Sequence, residues 1–146
     1  DTQLMPLKPE DIIGAWNLVD TYRDDADGSR VKHQGPEPMG IIMYTADGHM
    51  SAITRWGTRD FPATTDATDA DKARMFDTYL NYAGRWSLDG DTVTHHIEHA
   101  VNENFVGKDR KRVIDHQGDR MVLKGEGGDG TSTATIIWER AKPTGG

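Results

Sequence analysis

The chain contains no cysteine. That excludes a disulfide framework, a thiolate nucleophile and a Cys-type zinc site. It suits the cytoplasm and leaves a secreted or periplasmic location open. No signal-peptide apolar core is recognisable, and the Asp1 start is compatible with a processed N-terminus. No apolar run approaches the ~20 residues that cross a bilayer as a helix. Positive charge is outnumbered, with 17 Lys and Arg against 24 Asp and Glu, for a net −7. An acidic chain of this kind is a poor partner for nucleic acid or an anionic membrane. The G-x-S-x-G and H-E-x-x-H patterns are absent, and "GEGGDG" at Gly125–Gly130 has no following G-K-[ST] or helix. Asp66, Asp69 and Asp71 resemble a calcium loop in composition alone, because the glycine at position six and the glutamate at position twelve are missing.

What is present is a chain of 146 residues, the size of one domain with one sizeable core. We expect a single domain over 1–146, with flexible tails at 1–7 and 142–146 and a flexible hairpin loop over Gly125–Gly130. "LKPEDIIGAW" reads as a helical turn leading into a strand. Pro9 suits a first turn, Glu10 and Asp11 favour a helix N-terminus, and Gly14 breaks the turn. The first strand is "AWNLVDTYRD", with Trp16, Leu18 and Tyr22 on related faces, and a polar Asp/Gly/Pro loop follows. "GIIMYTADGHMSAITRW" reads as a hairpin. Pairing Tyr44 near Met50 puts Ile42, Tyr44, Met50 and Ala52 on one face, with Trp56 in line. "ADKARMFDTYLNYA" reads as the one helix, capped at Thr68 or Asp69. Met75, Tyr79 and Tyr82, beside Phe76 and Leu80, form its apolar stripe, packing outside the sheet or capping one end. Strands follow at "YAGRWSL", "DTVTHHIEHA", "KDRKRVIDHQ", "RMVLKGE" and "STATIIWERA", with turn signals "LDGD" and "HQGD". Many short strands with Gly/Asp turns and one helix predict an all-β, mainly antiparallel sheet closed into a barrel of about eight strands.

Several motifs occur in order: "GAW" at 14–16, "GIIMYTADGHMSA" at 40–52, "YAGRW" at 82–86, "GDTVTHHIE" at 90–98, "NENFVG" at 102–107 and "IWER" at 137–140. Together they resemble the lipocalin-like domain family of small bacterial and fungal β-barrels. That family commonly carries S-x-x-P-N-W-x-G after the histidine strand. Here Ala100, Glu103 and Phe105 stand in place of the Ser, Pro and Trp. Barrel closure sets first and last strands side by side, which lets Arg140 lie over the Trp16 indole as a cation–π lid. The resemblance implies the same pair at the barrel floor. The alternative is Trp16 as plain core with Arg140 solvated.

The histidines of "DTVTHHIEHA" pose a phase problem. Val93, His95, Ile97 and His99 share one strand face, and His96 and Glu98 the other. The two β-branched residues favour the first set inward. The opposite phase, reachable through a bulge, would put a His96–Glu98 couple inside, at the cost of burying Glu98. Inward residues four apart lie about 13 Å apart along a strand, so His95 and His99 cannot grip one metal ion by themselves, and no metal is expected. In the next strand Arg112 would face inward near Ile114, needing an anion, or would instead snorkel at the barrel mouth.

These readings give an internal cavity holding Tyr22, Tyr44, Met50, His95, His99, Arg112 and Trp138. The expectation is a barrel that binds a small, largely hydrophobic organic molecule with a polar group, without a cofactor; a homodimer stays open. The alternative is a cofactor-free acid/base enzyme, an isomerase, cyclase, dehydratase or lyase acting on a natural-product or aromatic substrate, with His95 and His99 as catalytic groups.

Overall fold

A computed structural model describes residues 6–127 and 130–144. The elements run α1 (Pro9–Ile12), β1 (Gly14–Asp24), β2 (Arg30–Val31), β3 (Met39–Tyr44), β4 (His49–Arg55), α2 (Asp69–Asp77), β5 (Tyr79–Asp89), β6 (Thr92–His99), β7 (Asp109–Gln117), β8 (Arg120–Glu126) and β9 (Thr133–Arg140). Every strand pairs antiparallel with its neighbour, and β1 also pairs with β9. Eight strands thus close an antiparallel barrel, while the two-residue β2 folds back on the end of β1. Closure gives every barrel strand a partner on both sides.

The floor forms where β1 begins and β9 ends. Trp16 and Arg140 stand opposite each other in the ladder. The Arg140 guanidinium lies 4.2 Å from the indole centroid and donates to the carbonyls of Ile13 and Asp11, each at 2.9 Å. The Trp16 indole N–H donates to the Ile12 carbonyl at 2.9 Å. The helical turn α1 is therefore a plug, its exposed carbonyls satisfied by the two residues that close the barrel. Gly14 permits this, since its φ is +120° and a Cβ there would lie 2.9 Å from Arg140 Nη1. Leu7, expected in a flexible tail, is buried against the core. Residues 1–5 and 145–146 of the expected tails lie outside the described residues.

Three local departures from regular alternation decide what faces inward. In β1 the register shifts between Leu18 and Asp20, so Val19 is an extra residue. Trp16 and Leu18 point in before this bulge; Thr21 and Arg23 do after it. Tyr22, expected inside, is carried to the outer face, where Arg30 stacks 4.0 Å from its ring. In β6 the register shifts where Ala83 pairs with His99 and Gly84 with Ile97, making Glu98 the extra residue. His99, expected inside with His95, is exposed on the outer face. Gly84 has no room for a Cβ, which would collide with the His96 carbonyl.

The third departure concerns the helix. Thr68 caps α2, its side chain accepting from the Asp71 N–H while Asp71 reciprocates. The helix ends at Asp77, with the Thr78 hydroxyl donating to the Arg74 carbonyl at 2.6 Å. Tyr79, Leu80 and Tyr82, expected on its stripe, instead belong to β5, registered against Arg55, Thr54 and Ala52 of β4. Gly125 and Glu126, read both as the end of the strand "RMVLKGE" and as the start of a loop, end β8 and pair with Ala134 and Thr133. Gly128 and Asp129 of that loop lie outside the described residues.

Candidate functional site

Above the Trp16 floor the barrel encloses a cavity of about 260 Å³. Its walls are mainly apolar: Ile42, Ala52, Leu80, Leu123, Ile136 and Trp138, with Trp56 near the rim. Alternation explains the set, since β3, β4, β8 and β9 each send every second residue inward. Polar groups reach the cavity at Thr21, Thr54, Gln34, Tyr82, His95 and Arg112, with Arg23, His33, Arg110 and Glu126 toward its open end. Gln34 comes from the β2–β3 connection. It is buried there, its amide donating to the Thr54 hydroxyl at 3.3 Å while its Oε1 has no partner.

His95 is the polar centre. Only 1% exposed, it sits between two tyrosines, with the Tyr44 hydroxyl 2.6 Å from Nε2 and the Tyr82 hydroxyl 2.8 Å from Nδ1. Burial holds the His95 pKa down at about 3, with Arg112, Arg110 and His96 adding to the effect. The imidazole is therefore neutral at physiological pH, with one nitrogen donating and the other accepting. The tyrosines decide which. Tyr44 lies off the cavity with His95 as its one hydrogen-bond partner among the described residues, whereas Tyr82 faces the cavity, so the arrangement that strands no buried proton has Tyr44 donating to Nε2. Nδ1–H then donates to the Tyr82 oxygen, which leaves the Tyr82 O–H proton free. Tyr82 lines the cavity, so the chain Tyr44→His95→Tyr82 ends as a hydrogen-bond donor on the cavity wall. Burial raises the pKa of both phenols, keeping them protonated.

Arg112 is the second unusual group. It faces inward and is 7% exposed. Its Nη1 donates to the Lys111 carbonyl at 2.9 Å, and no carboxylate lies within ion-pair distance among the described residues. Burial lowers its pKa, with Arg110 acting in the same direction and Tyr82 and Tyr44 opposing. Its seat exists because residue 125 is glycine: a Cβ there would come within 2.6 Å of Arg112 Cδ and 2.8 Å of the Lys111 carbonyl.

Of the residues singled out from sequence, Tyr44, His95, Arg112 and Trp138 come together in one interior. Tyr44 stands one step back, reaching the cavity through His95. Met50 is buried, paired with Tyr44 in the β3–β4 ladder, and lies outside the cavity lining. Tyr22 and His99 are on the outer surface, each beyond a bulge. His96 and Glu98 also face out, His96 between Ser87 (2.9 Å) and Asp109 (3.0 Å), Glu98 against Arg85 (3.1 Å). Sequence reading missed Tyr82, Gln34, Thr21 and Arg110. Tyr82 was legible as the first residue of "YAGRW" read as a strand; the connection that brings in Gln34 carries no periodic signal. Among the described residues no three His, Asp or Glu side chains cluster for a metal ion, and no helix is long and apolar enough to cross a membrane.

Residues 13–141 match the family model described as a lipocalin-like domain. No curated protein matches the chain. Among solved structures, wild-type fluorescent protein UnaG is similar at 14% identity and a TM-score of 0.39, over 92% of this chain and 100% of that one. A point mutant of UnaG gives 14% identity and a TM-score of 0.43, over 93% and 100%. The family match runs from the end of the α1 plug to the last residues of the barrel wall, and the chain belongs to the lipocalin-like domain family.

Proposed function

We propose that this barrel is a binding protein for a small, largely apolar organic molecule bearing a hydrogen-bond acceptor. The observation that carries the reading is the enclosed cavity with Tyr82 on its wall, oriented as a donor by His95 and Tyr44. Small-molecule sites characteristically combine apolar walls with a few fixed polar groups that set orientation. A donor held by a buried chain is already in place before the ligand arrives, so binding it costs little side-chain entropy.

The acid/base alternative gains no comparable support. An imidazole with a pKa near 3 is far from the operating range of a general base at neutral pH, and both its nitrogens are occupied. His95 acts in this reading as a positioning group for Tyr82.

The test is a fluorescence titration with N-phenyl-1-naphthylamine, a neutral apolar fluorophore. We expect saturable binding at one site per chain. Ala52→Phe, which fills the cavity beside Tyr82, is expected to abolish it while the protein still melts cooperatively. Binding that ignores this filling substitution would contradict the cavity as the site.

A further inference from the structure

The barrel wall is incomplete at one place. The β7–β8 ladder stops at Val113 opposite Lys124. Beyond it, β7 stays paired to β6 through Arg110 and Arg112, and β8 stays paired to β9 through Gly125 and Glu126. Regular pairing would set Lys111 opposite Glu126. Instead the Arg112 side chain lies against Gly125 and satisfies the Lys111 carbonyl itself. A cleft of about 490 Å³ opens here, lined by Asp109, Arg110, Lys111, Arg112, Glu126 and Gly127. Four of these residues, Arg110, Arg112, Glu126 and Gly127, also line the internal cavity. Cavity and cleft therefore meet through the gap between β7 and β8.

The gap is cationic in an acidic protein. Arg110 rests on the rings of Phe105 (4.6 Å) and Tyr82 (5.7 Å). Like Arg112, it has no ion-pair partner among the described residues. Asp109, the nearest acid in sequence, is engaged by His96 at 3.0 Å, and Glu126 is exposed at the rim. Two guanidiniums without carboxylates, one of them buried, make a site whose missing member is an anion. We infer that the ligand is an amphipathic anion whose carboxylate or sulfonate-like head sits in the β7–β8 gap on Arg112 and Arg110, with its apolar body in the cavity. This rests on the binding function proposed above and names the ligand class. Arg110 also covers the Tyr82 ring, so the head site adjoins the Tyr82 side chain. The gap is also the route by which the head group stays near water while the body is enclosed.

The experiment compares two probes sharing one fluorophore, 1-anilinonaphthalene-8-sulfonate and neutral N-phenyl-1-naphthylamine, by titration of the intact protein. We expect the sulfonate to bind about tenfold more tightly or better, a typical return for a charge-assisted contact. Arg112→Gln and Arg110→Gln should each remove most of that preference, Arg112→Lys should retain part of it, and Glu126→Gln should increase it. Neutral-probe affinity should fall far less than sulfonate affinity in the arginine variants, and cooperative thermal melting verifies that all variants are folded. Equal binding of the two probes, or a preference unaffected by Arg112→Gln and Arg110→Gln, overturns the anionic head while leaving cavity binding intact. Failure of both probes to bind overturns the cavity reading, and this inference with it.

Discussion

The Tyr82 hydroxyl lies 2.8 Å from Nδ1 of His95, on the opposite side of the ring from the Tyr44 hydroxyl at 2.6 Å. Three side chains from β3, β5 and β6 thus share one hydrogen-bond direction, since Tyr44 meets no other acceptor among the described residues and Tyr82 faces the cavity. Two phenylalanine substitutions separate structure from binding. Tyr44→Phe and Tyr82→Phe should each cost about 1–3 kcal/mol of stability, since each leaves a buried imidazole nitrogen unpaired. Only Tyr82→Phe removes a group on the cavity wall. Urea denaturation should show similar losses for both. Titration with 1-anilinonaphthalene-8-sulfonate should show the larger affinity loss for Tyr82→Phe.

The buried neutral imidazole makes stability depend on pH. Burial depresses the folded pKa of His95 to about 3, against an ordinary 6.5. Below pH ~6.5 the unfolded chain takes up a proton that the folded chain refuses, so stability is complete above that pH and falls as pH drops toward 3. The slope is about 1.4 kcal/mol per pH unit for one such proton. His33, also shifted down by burial and by Arg23, acts in the same direction over a narrower window. Denaturation midpoints between pH 7 and 4 should fall for the wild type. His95→Gln should show a shallower decline than the wild type; an unchanged decline would mean the imidazole is protonated in the folded state.

At the floor, Arg140 covers Trp16 and satisfies two carbonyls of the plug segment. Arg140→Ala should cost about 2–4 kcal/mol, summing a cation–π contact with two charged hydrogen bonds. Arg140→Lys should recover only a fraction, because an ammonium cannot span both carbonyls with the geometry of a planar fork. Chemical denaturation measures both. Full recovery by lysine would reduce the arrangement to simple charge.

Gly125 makes room for Arg112. Gly125→Ala sets a Cβ against Arg112 Cδ and the Lys111 carbonyl, so either the arginine or a strand must move. We expect a loss of about 1–3 kcal/mol from overpacking together with weaker binding of the sulfonate probe. Gly84→Ala meets the His96 carbonyl, which is backbone and cannot swing away, and should be at least as costly to stability.

Much of the barrel was legible in the residues because its signals are local and repetitive. Alternation placed Ile42, Tyr44, Met50 and Ala52 on one face, and Val93, His95 and Ile97 on another; the structure has each of these buried. Barrel closure together with the family resemblance points to Trp16 of "GAW" and Arg140 of "IWER" as a pair, and the guanidinium lies 4.2 Å from the indole centroid. What the sequence concealed was single-residue insertion. A bulge at Val19 turned Tyr22 outward, and one at Glu98 did the same to His99; period-two reading cannot see an extra residue. The helix was extended too far for a related reason. Tyr79 and Tyr82 continue the three-and-four spacing of Met75 and Phe76, and nothing before Thr78 interrupts it. Only pairing with β4 makes those tyrosines strand residues, and that pairing is a long-range fact. Arg110 and Arg112 form one cationic site because the ladder beside them stops at Val113 and Lys124, a long-range feature with no local signal.

The proposed function turns on a guest in the chamber above Trp16, with its acceptor on Tyr82. The most direct measurement is a crystal structure of the protein grown with 1-anilinonaphthalene-8-sulfonate. We expect density for the ring system between Leu123, Ile136 and Ala52, and an acceptor oxygen within hydrogen-bond distance of the Tyr82 hydroxyl. Density confined to the outer surface, with the interior unchanged and empty of probe, would contradict it.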